Sequence, residues 1–472
     1  MSGLYTALNG SVMALDAQSR AIDVAGRNLA NVNNTNYARE RVIFGSRGTV
    51  VTAEGAQSLG IEALGVEQIR DTLLDRQVLR EVSLSNSYDQ QQQAYQRAQA
   101  GLGLDLANAG AATSSDTTSN SDGLGSALSN FFNAFQSLAS RPTDTAQRQT
   151  LIQQATTLTD GFHLADSRLA QVQSDLNDQI NTDVDSANQL LQQIADLNGQ
   201  IGRVEIAQPG SATDLRDQRQ ADLEKLAAKL PVEVRDSGAG QVQLTLKDAN
   251  GNDVVLVDHG TVQGTVAFDG TNISAGLPAT KVVLAAGSIE GALTARNGAV
   301  QDLRDNLNHL AQQLVTSVNT AYNPTATPGG DFFDATCLTA GTIQLASALT
   351  VNTLKAGTGA AGDNSVALAV AGMADQQFTV ASGAAIDGTF AQCFAHSVSD
   401  LGQALATANT NVQDQTNIEQ LVRTQRDSVS GVSLDEETAD LVRYQRAYQA
   451  SARVFSVVND LLDTVVNKLG VT

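Results

Sequence analysis

The chain has 472 residues, and its 29 Lys and Arg against 50 Asp and Glu give a formal net charge of −21, which argues against general binding to nucleic acid or anionic membranes, since both need basic patches. With no tryptophan, 4% aromatic residues and six prolines, any core must rest on Leu, Val, Ile and Ala, and the length allows roughly two to four domains. No apolar run approaches the roughly eighteen residues of a membrane span, no basic and apolar leader marks a cleavable secretory signal, and two cysteines, Cys337 and Cys393, are too few for a disulfide scaffold.

Residues 1–40 open on a seam. Tyr5, Leu8, Val12, Leu15, Ser19, Ile22, Gly26 and Leu29 step by three and four, which predicts a long amphipathic helix with an apolar stripe to cover. The helix runs into Asn28-Leu29-Ala30-Asn31-Val32-Asn33-Asn34-Thr35-Asn36-Tyr37. Asn tolerates left-handed backbone and bonds its own neighbouring amides, so this run predicts a built turn.

Residues 41–110 begin with short apolar runs broken by Gly45, Gly48, Gly55, Gly60 and Gly65, expected to be extended hairpins, followed by a helix from Asp71 to Leu106. The small, polar stretch over 111–124 is expected to be a linker. A helical bundle domain is expected over 125–322, with one helix through Phe131, Phe132 and Phe135, stopped by Arg141-Pro142, a second through Leu151 and Leu169, and a third over Val172–Ile201. From Pro231 the period changes to alternation, with Asn250-Gly251 as a hairpin signal, so residues 232–286 should form a β-rich face on this domain. Ser288 to Tyr322 reads as one long helix ended by Asn323-Pro324.

Residues 323–388, rich in Gly, Ala and Thr, are expected to form an inserted outer β domain with strands near Thr342–Leu345 and Ser365–Val370. A returning helix occupies 389–430. Residues 431–472 carry a second seam: Leu441, Tyr444, Tyr448, Ser451, Phe455, Val458, Leu462, Val465 and Leu469. Ser433 with Glu436 three residues on is a capping box that sets the start of this helix. Its β-branched runs lower intrinsic helicity, so it needs a partner. The simplest arrangement pairs first helix with last as a coiled coil; two unrelated amphipathic helices would give the same pattern. The fold class is mainly α with inserted β-rich segments, α+β.

No catalytic constellation stands out. Gly357-Thr358-Gly359-Ala360-Ala361-Gly362 matches GxGxxG, but a dinucleotide site needs a strand before it and a helix after it, and a strand-like run follows instead. His163, His259, His309 and His396 are scattered without ligand spacing. No cofactor, metal or catalytic residue is assigned.

The two ends carry a resemblance. Asn28, Leu29, Asn31, Asn33, Thr35 and Tyr37, together with Gly431, Leu434, Glu437, Gln445 and Tyr448 in Ser430–Glu437 and Tyr444–Ala450, resemble the paired terminal signatures of bacterial flagellar axial proteins, the rod, hook and hook-associated proteins. Asn36 stands where that signature usually has Gly, and suits a left-handed position. Ile194–Ile201 and Asp214–Arg219 are similar to a hook-associated member rather than to rod or hook proteins. The resemblance implies a non-enzymatic, extracellular structural protein at the join between hook and filament. It implies export in unfolded form by the flagellar type III system, from the cytoplasm, without a cleaved signal.

It further implies self-assembly beside the hook protein and a second junction protein, and a cytoplasmic export chaperone. The expected assembly interface is Tyr5, Leu8, Val12, Leu15, Ile22 and Leu29 with Leu441, Tyr444, Tyr448, Phe455, Val458, Leu462, Val465 and Leu469. The chaperone contact is expected on Leu441, Phe455, Leu462 and Val465. The alternatives are another axial component of hook or distal rod, or a cytoplasmic coiled-coil scaffold that is never exported.

Overall fold

A computed structural model describes residues 2–52, 55–58, 60–102, 123–359 and 362–465. The chain is mostly helical, with antiparallel sheets. It begins with α1 (Ser2–Ala30), β1 (Glu40–Ser46), β2 (Thr49–Thr52), β3 (Gly55–Ser58), β4 (Ile61–Gln68) and α2 (Thr72–Gly101). Then come α3 (Leu124–Ser140), α4 (Thr145–Glu205) and α5 (Thr213–Ala227). The strands β5 (Glu233–Gly238), β6 (Gln241–Lys247), β7 (Asp253–Asp258), β8 (Thr261–Val262), β9 (Val266–Phe268), β10 (Ile273–Ala275) and β11 (Thr280–Lys281) follow. The remaining helices are α6 (Ser288–Asn297), α7 (Ala299–Tyr322), α8 (Ser365–Ala371), α9 (Phe390–Ser430) and α10 (Leu434–Asp463).

The chain divides into two compact units, one of residues 1–85, 183–287 and 415–472, the other of 86–182 and 288–414. In the first, α1 packs along α10 and against β1 and β4. A small core of Ala21, Val24 and Val42 is closed by Ala63, Val66 and Tyr444. The β2–β3 hairpin is nested inside the β1–β4 pair, whose register runs from Glu40↔Gln68 to Ser46↔Ile61 with one shift at Ile43/Phe44. Two further antiparallel sheets have the orders β5-β6-β7-β8 and β11-β10-β9. At the expected Asn250-Gly251 turn, Gly251 takes φ +82 and the Asp248 carboxylate accepts the Asn250 and Asn252 amides at 2.8 Å each.

The second unit is built on aromatic packing. Phe131 of α3 meets Phe135 at 5.2 Å and Phe332 at 5.8 Å between ring centroids, and Phe332 meets Tyr322 at 5.2 Å. All four are fully buried. Asn319 of α7 fixes the loop that delivers the rings: its Oδ1 accepts the amides of Phe332 and Phe333 at 3.1 and 2.9 Å, and its Nδ2 donates to the Phe333 carbonyl at 2.9 Å.

Several expectations from the sequence are corrected. The two helices expected over 145–201 are one continuous helix of 61 residues, α4; the apolar period passes through Leu169, Val172 and Leu176 unbroken, and all three are buried. The single helix expected over Ser288–Tyr322 is two, α6 and α7, parted at Gly298 (φ −95, ψ −121), where a Cβ would sit 2.8 Å from the Thr294 carbonyl.

Among the described residues, 323–388 hold no strand, only isolated bridges such as Phe333↔Leu345 and Phe378↔Gly388. They cluster with the second unit rather than standing as an outer β domain. The expected strand at Ser365–Val370 is α8, because Val366, Ala367 and Val370 bury one helical face. The β-rich 232–286 groups with the terminal helices, not with the bundle of 125–182 and 288–322. The linker expected over 111–124 lies outside the described residues except for Gly123 and Leu124, and Leu124 opens α3.

Candidate functional site: the junction of the two chain ends

Asn28, near the end of α1, is 1% exposed and uses its whole side-chain amide. Its Oδ1 accepts the Tyr37 hydroxyl at 2.9 Å and the Glu40 amide at 3.0 Å. Its Nδ2 donates to the Glu40 carbonyl at 2.9 Å and to the Glu437 carboxylate of α10 at 3.0 Å. The turn that follows α1 thus closes on Asn28, and the same residue reaches the other end of the chain. Burial, and then the Glu40 charge, push the Tyr37 hydroxyl well above the usual phenol range, so it stays a donor.

Charge surrounds this amide. Arg27 pairs with the buried Glu40 carboxylate at 2.9 Å, and Arg39 pairs with Glu436 at 2.5 Å and Glu437 at 2.6 Å. Burial works against the Arg39 charge, but Glu437 and Glu436 outweigh it and raise the guanidinium. Ser433 caps α10 by accepting the Glu436 amide at 3.5 Å. Glu436 is engaged by Arg39 from the N-terminal segment. The Arg39 amide donates to the Ser430 carbonyl at 2.9 Å, and Gly431 next to it has no room for a Cβ, which would lie 2.4 Å from the Asp427 carbonyl.

The middle motifs brace the same turn. Asp217 accepts from Arg70 at 2.6 Å and from Gln68 at 2.8 Å, and Arg70 also donates to the Asn36 carbonyl at 2.8 Å. Arg219 donates to Asn198 at 2.8 Å and to the Gly240 carbonyl at 2.7 Å, and burial lowers its pKa to about 10. Arg426 of α9 reaches the Thr35 carbonyl at 3.0 Å and Glu224 of α5 at 2.9 Å.

The structure brings together Asn28, Tyr37 and Glu437 of the expected signature residues. Leu29 and Asn31 are half-buried, Asn33 and Thr35 exposed, and Leu434, Gln445 and Tyr448 exposed on α10. Asn36 does not take a positive φ; among the described non-glycine residues only Ala239, His259 and Ala326 do, so the substitution for Gly needs no left-handed backbone. Arg27, Arg39, Glu40 and Arg70 escaped the sequence reading, because their partners are distant in the chain.

The expected seams have different fates. On α10, Val458 and Leu462 are buried, Leu441, Tyr444, Phe455 and Val465 half-buried, and Tyr448 exposed; Leu469 lies outside the described residues. On α1 the phase is corrected: the buried face is Ala17, Ala21, Val24, Ala25 and Asn28, while Tyr5 is 57% and Val12 43% exposed. Leu8, Leu15, Ile22 and Leu29 are half-buried. Small side chains face inward, and the larger apolar residues that mark a seam in the sequence stay at least partly in solvent.

The glycine-rich match near Gly357 is engaged by a carboxylate of the chain itself. Asp363 turns its carboxylate onto the glycine loop, accepting the Gly359 amide at 2.7 Å and the Ser365 amide at 3.0 Å, so an anion already sits where a phosphate would need to. Among the described residues no group of three or more His, Cys, Asp or Glu could hold a metal ion, and no helix is long and apolar enough to cross a membrane.

Two family models match the chain: the flagellar hook-associated protein FlgK helical domain over residues 115–333, and the flagellar basal body rod FlgEFG protein C-terminal over 423–469. Flagellar hook-associated protein 1 of Bacillus subtilis strain 168 is 27% identical, covering 100% of this chain and 99% of that protein. The proteins of the same name from Salmonella typhimurium and Escherichia coli K12 are 25% and 24% identical, each covering 98% of this chain and 99% of their own. The solved flagellar hook junction protein FlgK from Burkholderia pseudomallei is 22% identical, with a TM-score of 0.45 over 55% of this chain and 46% of that one.

The family models and the curated relatives make the chain similar to flagellar hook-associated and axial proteins. Within that class its relatives over the whole chain are proteins named flagellar hook-associated protein 1, which are structural proteins of the flagellum.

Proposed function

We propose that the chain is a structural junction subunit of the flagellum, which polymerises at the tip of the hook and connects hook to filament through its paired terminal helices. The observation that carries this reading is the buried link from Asn28 to Glu437, which makes the two chain ends one assembly element. Once that element is formed, apolar side chains remain uncovered on it: Tyr5 and Val12 on α1, and Val454, Val457 and Leu461 on α10. Neighbouring copies, the hook protein on one side and a second junction protein on the other would cover them, completing the seam as a coiled-coil layer. Of the expected interface residues, Leu8, Leu15, Ile22, Leu29, Leu441, Tyr448, Phe455 and Val465 keep partial exposure for the same use.

Before assembly the chain would leave the cytoplasm through the flagellar type III route. A chaperone would hold the α10 seam at Leu441, Phe455, Leu462 and Val465 in the unpaired state, when α1 does not yet cover it. Cell fractionation with gold-labelled antibody tests the proposal. Label at the boundary between hook and filament on sheared flagella supports it. Protein confined to the cytoplasm overturns it in favour of a scaffold, and label along the rod or hook favours another axial role.

A further inference from the structure

The chain holds four Asn-Gly pairs: Asn9-Gly10, Asn198-Gly199, Asn250-Gly251 and Asn297-Gly298. Asparagine is chemically labile, and such a pair carries its own reaction. The glycine amide nitrogen attacks Cγ of the asparagine side chain, closing a five-membered succinimide and releasing ammonia. Water then opens the ring at either carbonyl, leaving aspartate or, with an extra methylene in the backbone, isoaspartate. Glycine favours the attack because no Cβ screens its nitrogen. The step needs a free carboxamide, a glycine nitrogen released from its hydrogen bond, and access for base and water.

Three of the pairs are held away from this reaction. Asn9 and Gly10 lie inside α1, and Asn198 and Gly199 inside α4, where the helical backbone fixes ψ and engages the glycine amide. Asn198 is also fully buried, with Nδ2 donating to the Val242 carbonyl at 2.7 Å and Oδ1 accepting from Arg219 at 2.8 Å. Asn297 ends α6; its Oδ1 accepts from Arg296 at 3.0 Å, and the Gly298 amide donates to the Thr294 carbonyl at 2.9 Å. Asn250 differs. It is exposed at the tip of the β6–β7 hairpin, and only its backbone amide is engaged among the described residues, leaving the carboxamide free. A Cβ on Gly251 would meet no atom within 4 Å, so that side of its nitrogen is open to water. The Gly251 amide donates to the Asp248 carbonyl at 3.0 Å, a bond within one surface turn, which opens at small cost.

We propose that Asn250 is a site of spontaneous deamidation, the one of the four pairs that the fold leaves reactive. The product sets a new carboxylate beside Asp248 and Asp253, or lengthens the turn by a methylene, and either change loosens the Lys247↔Asp253 end of the β6–β7 ladder. The modified fraction marks the age of a chain, and it does not depend on the flagellar reading. The test incubates the full-length chain, folded and in guanidinium chloride, in mildly alkaline water enriched in 18O, followed by digestion and mass spectrometry. In the folded chain the peptide carrying Asn250 is expected to gain one 18O, as aspartate and isoaspartate, and faster as pH rises. Its rate should exceed that of the other three pairs about tenfold, because their glycine amides are held within or at the end of helices. In guanidinium chloride the four should convert at similar rates. Asn250→Gln, which keeps a carboxamide but would need a six-membered ring, should remove the signal. No label at Asn250 in the folded chain, four pairs that convert alike there, another pair in the lead, or a lead for Asn250 that persists in denaturant would each overturn the proposal.

Discussion

The side-chain amide of Asn28 donates to the Glu437 carboxylate at 3.0 Å, joining residues 409 positions apart. Among small apolar contacts, a buried and fully satisfied amide fixes register, because sliding α1 against α10 by one turn would strand its bond to Glu437 while its other bonds hold it to Tyr37 and Glu40.

Asn28→Ala should therefore destabilise the first unit by about 3 kcal/mol, the cost of leaving a buried carboxylate and a buried tyrosine short of partners. Hydrogen exchange checks it: amides of α1, β1 and α10 should lose protection while α3 and α7 keep theirs. Equal loss in both units would show that the network is not local to the chain ends.

The two faces of α1 should respond differently. Val24→Asp, on the buried face, should separate α1 from α10 in the monomer, at a cost of about 3 kcal/mol or more. Val12→Asp, on the exposed face, should change monomer stability by less than about 0.5 kcal/mol and yet suppress polymerisation. Urea melts and light scattering of concentrated protein separate the two effects.

Arg70 holds two carboxylates that burial pushes upward, Asp75 and Asp217, and its charge and hydrogen bonds pull them back. Carboxyls whose folded pKa lies above the unfolded value take up protons preferentially in the fold, so stability rises as pH falls through the folded pKa. Arg70→Ala should cost about 3–5 kcal/mol near neutral pH, and the loss should shrink as pH falls toward the ordinary carboxylate range. Urea midpoints of variant and parent, measured from pH 7 downward, give the comparison.

In the second unit, Phe131→Ala should cost about 3–5 kcal/mol, since that ring packs on Phe132, Phe135, Phe332 and Phe333. Differential hydrogen exchange should confine the effect to 86–182 and 288–414.

On α10, the buried positions Val458 and Leu462 were legible in the sequence because large apolar residues mark them. The inward face of α1 was not, because Ala17, Ala21 and Ala25 carry little hydropathy while the larger Tyr5 and Val12 face out. Asn28, Tyr37 and Glu437 could be singled out by resemblance, but nothing local shows that they touch. Arg39, Arg70 and Asp217 do their pairing across long stretches of chain, where no spacing rule applies. Residues 365–370 misled in another way: Val366, Leu368 and Val370 alternate as a strand would, yet Val366, Ala367 and Val370 are the residues buried. A short apolar run fits either period, and the packing around it decides.

The most direct measurement is electron microscopy of cells from which the gene for this chain has been deleted. The account predicts hooks that bear no filaments, with filament protein lost to the medium and filaments restored by the parent chain. Normal filaments on the deleted cells would contradict it.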